Sequence, residues 1–167
     1  MLPTVALPRL PGKPLLALIV VFTLFRLCVA ANIGLVFDEA YYRLWSLYPQ
    51  WGYYDHAPMV AWWIALGRAL IGDSALGVRL LGPLSAGVGA LLLWRTALLL
   101  ADRHLANLAV LIFNAMILPS VGSLVMTPDI PSVFFWGAAL WALAELRHSG
   151  RGYWWLIIGL CAGLDLL

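Results

Sequence analysis

Residues 14–37 read PLLALIVVFTLFRLCVAANIGLVF, an apolar run interrupted by a single charge, Arg26. As a helix rising about 1.5 Å per residue, Leu15 to Phe37 reaches about 34 Å, enough to cross the ~30 Å hydrocarbon layer of a bilayer. The run therefore predicts a transmembrane helix. Arg9 and Lys13 ahead of it also suit a signal peptide, and Cys28-Val29-Ala30 has the small-residue look of a cleavage site. Arg26 breaks the uncharged core that such a peptide needs, so the run reads as an uncleaved signal anchor.

Similar runs recur downstream, over about 79–101, 105–126 and 130–146, with polar turns at Asp102-Arg103-His104, Thr127-Pro128-Asp129 and Arg147 to Arg151. A fifth begins at Tyr153 and offers fifteen residues up to Leu167, where about 20 are needed to span. A chain stopping inside a span is expected to be a fragment of a longer membrane protein. The expected fold class is all-α, a polytopic membrane helix bundle, with residues 1–14 as a cytoplasmic tail disordered by Pro3, Pro8, Pro11 and Pro14. Composition agrees, since 63% of residues are hydrophobic and 11% charged, against ~25% charged in soluble domains. Ten Lys and Arg against eight Asp and Glu leave no basic stripe, which argues against a nucleic-acid partner. Cys28 and Cys161 sit in apolar runs without ligand or CxxC spacing and read as packing residues.

Ala57 to Gly72 is apolar but only sixteen residues long and carries Arg68. Met59, Trp62/Trp63, Leu66 and Leu70 recur at helical spacing, which predicts an amphipathic helix lying in the membrane interface. With that segment not spanning, Arg9, Lys13, Arg95, Arg103, Arg147 and Arg151 fall on the cytoplasmic side, as the positive-inside rule asks, and Arg43, Arg68 and Arg79 fall outside. Asp38, Glu39, Asp55, Asp73 and Asp129 then gather on the outer side. Chemistry is expected in the outer loop, residues 38–78.

That loop contains FDEAYYRLWSLYPQWGYYDHAPMVAWW. Asp38 is either an N-cap of the helix that starts there or a positioned proton acceptor, two roles that are compatible. Glu39 and Arg43, four apart, are placed to pair. His56 beside Asp55 suits a local hydrogen bond or cap, or else a phosphate or metal contact. Asp129, in MTPDIP, satisfies a turn or serves a site. Arg26 must face the bundle or snorkel, because a lipid-facing arginine costs roughly 2.5–3.5 kcal/mol. Arg68 and Arg79 border the outer interface, and their guanidinium forks match phosphate oxygens. Nine Trp, six Tyr and six Phe suit interfacial anchoring first and sugar stacking second.

The combination of DEAYY (38–42), WGYYDHAPMVAWW (51–63), TPD (127–129) and FFW (134–136) resembles the N-terminal part of bacterial GT-C fold glycosyltransferases. That group includes protein O-mannosyltransferase relatives and the aminoarabinose transferases of lipid A, families 39 and 83. The resemblance runs from about Leu15 to the end. It implies transfer of a sugar from a polyprenyl-phosphate carrier to a lipid, glycan or protein acceptor on the outer face of the bacterial inner membrane, in a multi-pass protein. By that resemblance Asp38 would be the base, Glu39 its acidic partner, and Asp129 a second-loop carboxylate supporting the acceptor or a divalent cation. Tyr42, Tyr54, Asp55 and His56, with Arg68 and Arg79, make up the expected substrate-binding set. Relatives carry an apolar residue where this chain has Asp165, and they continue into further helices. The competing class is a non-enzymatic membrane component, for transport or lipid binding. Transporters place their functional charges near the bilayer midplane, whereas here only Arg26 lies deep.

Overall fold

A computed structural model describes residues 10–167, and among them the chain is all-α, with no strand. Arg9 and most of the expected tail lie outside the described residues. The first helix, α1 (Lys13–Asn32), ends before the expected Phe37. Ile33 to Val36 are not helical, Ile33 and Val36 being extended, and Phe37 opens a separate helix, α2 (Phe37–Leu47). Twenty helical residues still reach about 30 Å.

After an irregular stretch come α3 (Met59–Ile71) and α4 (Ala75–Arg79), the latter capped by the Ser74 hydroxyl, which accepts from Gly77 N–H at 3.1 Å. The hydrogen-bond ladder is interrupted at Leu80, whose backbone stays helical (φ −45°, ψ −48°), before α5 (Leu81–Leu100). Pro83 accounts for it, since its ring removes the bond to residue 79 and crowds that carbonyl. Asp102 then caps α6 (Arg103–Ala115), accepting from Leu105 N–H at 2.9 Å.

The apolar run over 105–126, expected as one helix, is broken. Met116 is extended (φ −69°, ψ 136°), a short α7 (Ile117–Gly122) follows, and residues 123–128 are not regular helix. Pro119 is the cause: it cannot donate to Ala115, and in a continuous helix its ring would clash with that carbonyl. The next helix, α8 (Asp129–Ser149), stops at Gly150, whose φ of 66° suits a residue without Cβ. Last comes α9 (Trp154–Asp165).

Helix α8 packs between α5 and α9, and α5 also contacts α6 and α1. Ile19, Ala90, Trp94, Leu98, Ala106 and Val110 form one buried cluster among α1, α5 and α6. The second cluster, Tyr42, Val60, Ile64, Val78 and Met126, joins α2, α3 and α4 to the segment before α8. Glycine lets α3 and α4 approach closely: a Cβ on Gly67 would lie 2.2 Å from the Gly77 carbonyl oxygen, and one on Gly77 2.1 Å from that of Gly72.

Among the described residues two stretches are helical, long and apolar enough to cross a membrane: α1 and the joined Ala75–Leu100. Val21, Leu24 and Phe25 on α1 are more than half exposed, as are Leu156 and Leu160 on α9, which suits an outer surface solvated by lipid. The Ala57 to Gly72 stretch forms the expected helix as α3, about 20 Å long, but its buried face differs. Val60, Ala61, Ile64 and Gly67 face the protein, while Leu66 and Leu70 are exposed.

Candidate active site

The C-terminal end of α1, the loop helices α2–α4, the start of α8 and the end of α9 meet at one end of the bundle. A buried ion pair ties them. Glu39, fully buried, accepts from Arg79 Nε at 2.6 Å and pairs with its Nη2 as well. It also accepts from Met126 N–H at 2.8 Å and, reaching back one turn, from Val36 N–H at 3.0 Å. Arg79 gives its remaining hydrogens to the carbonyls of Ala30 (3.2 Å), Ile33 (2.7 Å) and Gly34 (2.8 Å). All five guanidinium hydrogens are thereby engaged, so Arg79 has none left for a phosphate.

Two sequence expectations change here. Glu39 does not pair with Arg43, which binds Asp73 through Nε at 2.8 Å and through Nη2. Asp38 is not the cap either: Val36 occupies that position, and Asp38 is the second helical residue. Asp38 is exposed and makes no hydrogen bond among the described residues, so its carboxylate is available. Of the two adjacent acids, one is locked inside and the other left free.

Arg68 also spends itself locally. Its Nε donates to Asp73 at 2.8 Å, and Nη1 donates to the Ser46 hydroxyl at 3.1 Å. The two arginines hold the Asp73 carboxyl well below the usual carboxylate range.

Between α2 and α3 the chain is organised by rings. Tyr53 stacks on Trp45 with centroids 4.4 Å apart, and its hydroxyl accepts from Gln50 N–H at 3.1 Å. That fixes the turn carrying Tyr54, Asp55 and His56, all three exposed. The His56 ring meets Tyr42 edge-on at 5.9 Å, and Asp55 accepts the Tyr41 hydroxyl at 2.7 Å. Tyr54 is wholly exposed.

Tyr42 is where three carboxylates converge. Burial pushes its phenol up, and the charges of Asp38, Asp129 and Asp55 add to the shift. Residues from three separate segments thus act on one neutral hydroxyl, which has no hydrogen-bond partner among the described residues. On the far side of His56, a cleft of about 230 Å³ is lined by His56, Asp129, Ser132 and Asp165. Asp165, half-buried in an otherwise apolar helix, accepts the Ser132 hydroxyl at 2.7 Å. Neither Ser132 nor Asp165 belongs to the expected site; a carboxylate in an otherwise apolar run is the signal that marks Asp165. Among the described residues no three His, Cys, Asp or Glu side chains gather as a metal site.

From Asp129 and Thr127 a larger apolar groove of about 620 Å³ runs between α5, the α6–α7 break and α8. Gly89, Leu93, Phe113, Leu118, Val133 and Leu140 line it. On α5 its lining extends from Ser85 to Thr96, about 16 Å of helix. Polar cleft and apolar groove share Asp129.

Residues 55–167 match the dolichyl-phosphate-mannose-protein mannosyltransferase family. The chain belongs to that family. The matched region includes Asp55, His56, Asp129 and Asp165, whereas the Asp38-Glu39 pair precedes it. Over 158 residues the chain is 32% identical to the lipid A galacturonosyltransferase RgtD of Rhizobium johnstonii, covering 91% of this chain and 33% of that protein. It is 28% identical over 169 residues to the undecaprenyl phosphate-alpha-4-amino-4-deoxy-L-arabinose arabinosyl transferase 1 of Pseudomonas fluorescens, covering 90% and 31%. The chain spans about a third of the length of these curated relatives. No solved structure matches it.

Proposed function

We propose that this chain carries the donor end of a membrane glycosyltransferase, which moves a sugar from a polyprenyl-phosphate carrier to an acceptor on the outer face of the bacterial inner membrane. The observation that carries the reading is a polar cleft, lined by the Asp129 and Asp165 carboxylates, that opens through Asp129 onto an apolar groove. A ligand with a polar head and a long apolar tail fits both at once. The matched family and the arabinosyl relative are named for lipid-phosphate sugar donors. The galacturonosyl relative is named for lipid A, so lipid A is the first acceptor to try.

In this reading Asp38 takes the proton from the acceptor hydroxyl as that oxygen attacks the anomeric carbon. The carbon–oxygen bond to the carrier breaks, and polyprenyl phosphate leaves with the bonding pair. A lipid phosphate is already a good leaving group, so the protein needs mainly a base and alignment. Tyr42 stays neutral and donates a hydrogen bond to the sugar. His56 and Asp129 line the head-group cleft, Asp55 stands next to His56 and holds the Tyr41 hydroxyl, and Tyr54 offers an exposed ring for sugar or membrane interface. Glu39 and Arg79 position the site without touching substrate, since their polar atoms are taken up by protein partners, and Arg68 is anchored by Asp73 and Ser46.

The test uses the full-length protein with a polyprenyl-phosphate sugar. Asp38→Asn should fold normally and lose transfer by a factor on the order of 10² to 10⁴, the usual worth of a positioned base. Undiminished transfer by that variant ends the catalytic assignment.

A further inference from the structure

One charged group lies apart from the cleft. Arg26 is 3% exposed in α1, which has no other charge between Lys13 and Asn32. An arginine at this depth needs partners inside the protein. It finds them on the two sides of the α6–α7 break. Its Nη1 donates to Asn114 Oδ1 at 3.0 Å, and Nη2 donates to Ser120 Oγ at 3.1 Å. The Ser120 hydroxyl in turn donates to the Asn114 carbonyl at 2.8 Å, and Asn114 Nδ2 donates to the Val110 carbonyl at 2.9 Å.

The physical logic is that of a helix end inside a bundle. Stopping α6 at Ala115 leaves carbonyls in its last turn without helical donors and gives that end a partial negative charge. Ser120 meets one of those carbonyls, and the Arg26 cation lies beside the same end. Because Arg26 holds one residue before the break and one after it, it fixes the angle between α6 and α7. The residues next to its two partners, Phe113 and Pro119, line the apolar groove, together with Leu118. Any change in that angle moves a wall of the groove.

We propose that Arg26 is a positioning residue: by bridging Asn114 and Ser120 it sets the α6–α7 angle and so the width of the groove that holds the carrier's prenyl tail. This rests on the groove serving the lipid carrier, as proposed above. Arg26 touches no reacting atom, so its loss should act on tail binding rather than on chemistry.

Two measurements on the full chain in lipid nanodiscs test this separately. Spin labels go on opposite walls of the groove, at Leu118→Cys and Val133→Cys, with Cys28 and Cys161 replaced by Ala. They should give a narrow distance distribution, which Arg26→Met broadens or shifts and Arg26→Lys partly restores. An unchanged distribution in Arg26→Met overturns the clamp whatever the activity. Where Arg26→Met does not fold, Ser120→Ala removes one of the two ties, and the same distance change is expected. For kinetics, Arg26→Met should raise KM for a long-chain polyprenyl-phosphate sugar by about 10-fold with kcat nearly unchanged. KM for a two-isoprene analogue should move much less. Equal losses on both donors, carried by kcat, also overturn it. If the wild-type protein transfers from neither donor, the glycosyltransferase reading falls, and the spin-label distances still decide whether Arg26 clamps the break.

Discussion

Replacing Glu39 with Gln separates a positioning acid from a reacting one. The wild-type carboxylate is fully buried and accepts from Arg79, Met126 and Val36, while Arg79 is 2% exposed. Glutamine keeps the shape but has one acceptor oxygen and an NH2 group, so at least one of those donors faces another donor. It also leaves the Arg79 cation without its counter-charge in a dry site. Breaking a buried pair from one side typically costs about 3–5 kcal/mol, a large share of a total near 5–15 kcal/mol. At the usual 2–4 °C per kcal/mol for a unit of this size, the midpoint of thermal unfolding in detergent should fall by roughly 6–20 °C. Removing the charge at both ends, Glu39→Gln with Arg79→Met, should recover a substantial part of that loss, because the uncompensated cation is gone. A Glu39→Gln protein that melts like the wild type yet has lost transfer would refute the reasoning and return Glu39 to the reacting groups.

Asp38 should behave in the opposite way: because it neither caps α2 nor bonds another described residue, Asp38→Asn should shift the melting midpoint by no more than a degree or two (about 0.5 kcal/mol), checked by the same melt. Membrane sidedness can be read with an impermeant thiol reagent on a Cys-free background, where Tyr54→Cys should label from the outer side and Ser149→Cys only after the inner side is opened; the reverse pattern inverts the bundle. Gly77→Ala places a methyl 2.1 Å from the Gly72 carbonyl oxygen and should cost about 1–3 kcal/mol by overpacking, measurable as a lower midpoint, whereas Gly89→Ala, with nothing within 4 Å, should not.

The helical class is legible in the sequence because lipid imposes one requirement, that every backbone polar group be satisfied within its own segment. Where helices end is less so. Pro119 announces the break in the 105–126 run, yet the unbroken apolar character around it reads as a single span; it takes the contact with Arg26, some ninety residues earlier, to make the break tolerable. The DEAYY motif shows that two carboxylates sit at the boundary and not which one turns inward. That choice is made by Arg79, forty residues away, and by a backbone N–H at Met126, neither of which leaves a periodic trace. Spacing of four likewise points to a Glu39–Arg43 pair, but Asp73 competes for Arg43 across a turn that no local pattern reveals. Asp55, His56 and Asp129 are visible as polar residues between apolar runs; the meeting of His56 and Asp129 with Asp165 depends on the start of α8 and the end of α9 lying at the same end.

A further ion pair sits at the other end of the bundle, where Arg95 donates to Glu145 through Nε at 2.6 Å. Arg95 follows Arg79 by sixteen residues, as Glu145 follows Asp129, so the joined Ala75–Leu100 stretch and α8 each carry charge markers about 24 Å apart along the helix. If these helices cross a bilayer, the uncharged slab between the markers is thinner than the ~30 Å hydrocarbon layer of an average membrane. Tilting makes such a helix shorter still in projection, so the shortfall falls on the lipid. The pairing of Arg95 with Glu145 offsets part of that cost, and the bilayer must thin around the bundle to meet the rest. Thickness then becomes a selective variable: the protein should partition toward thinner membrane regions, at a cost of a fraction of a kcal/mol for each ångström of excess. In vesicles of graded acyl-chain length, its preferred host should be a short-chain one.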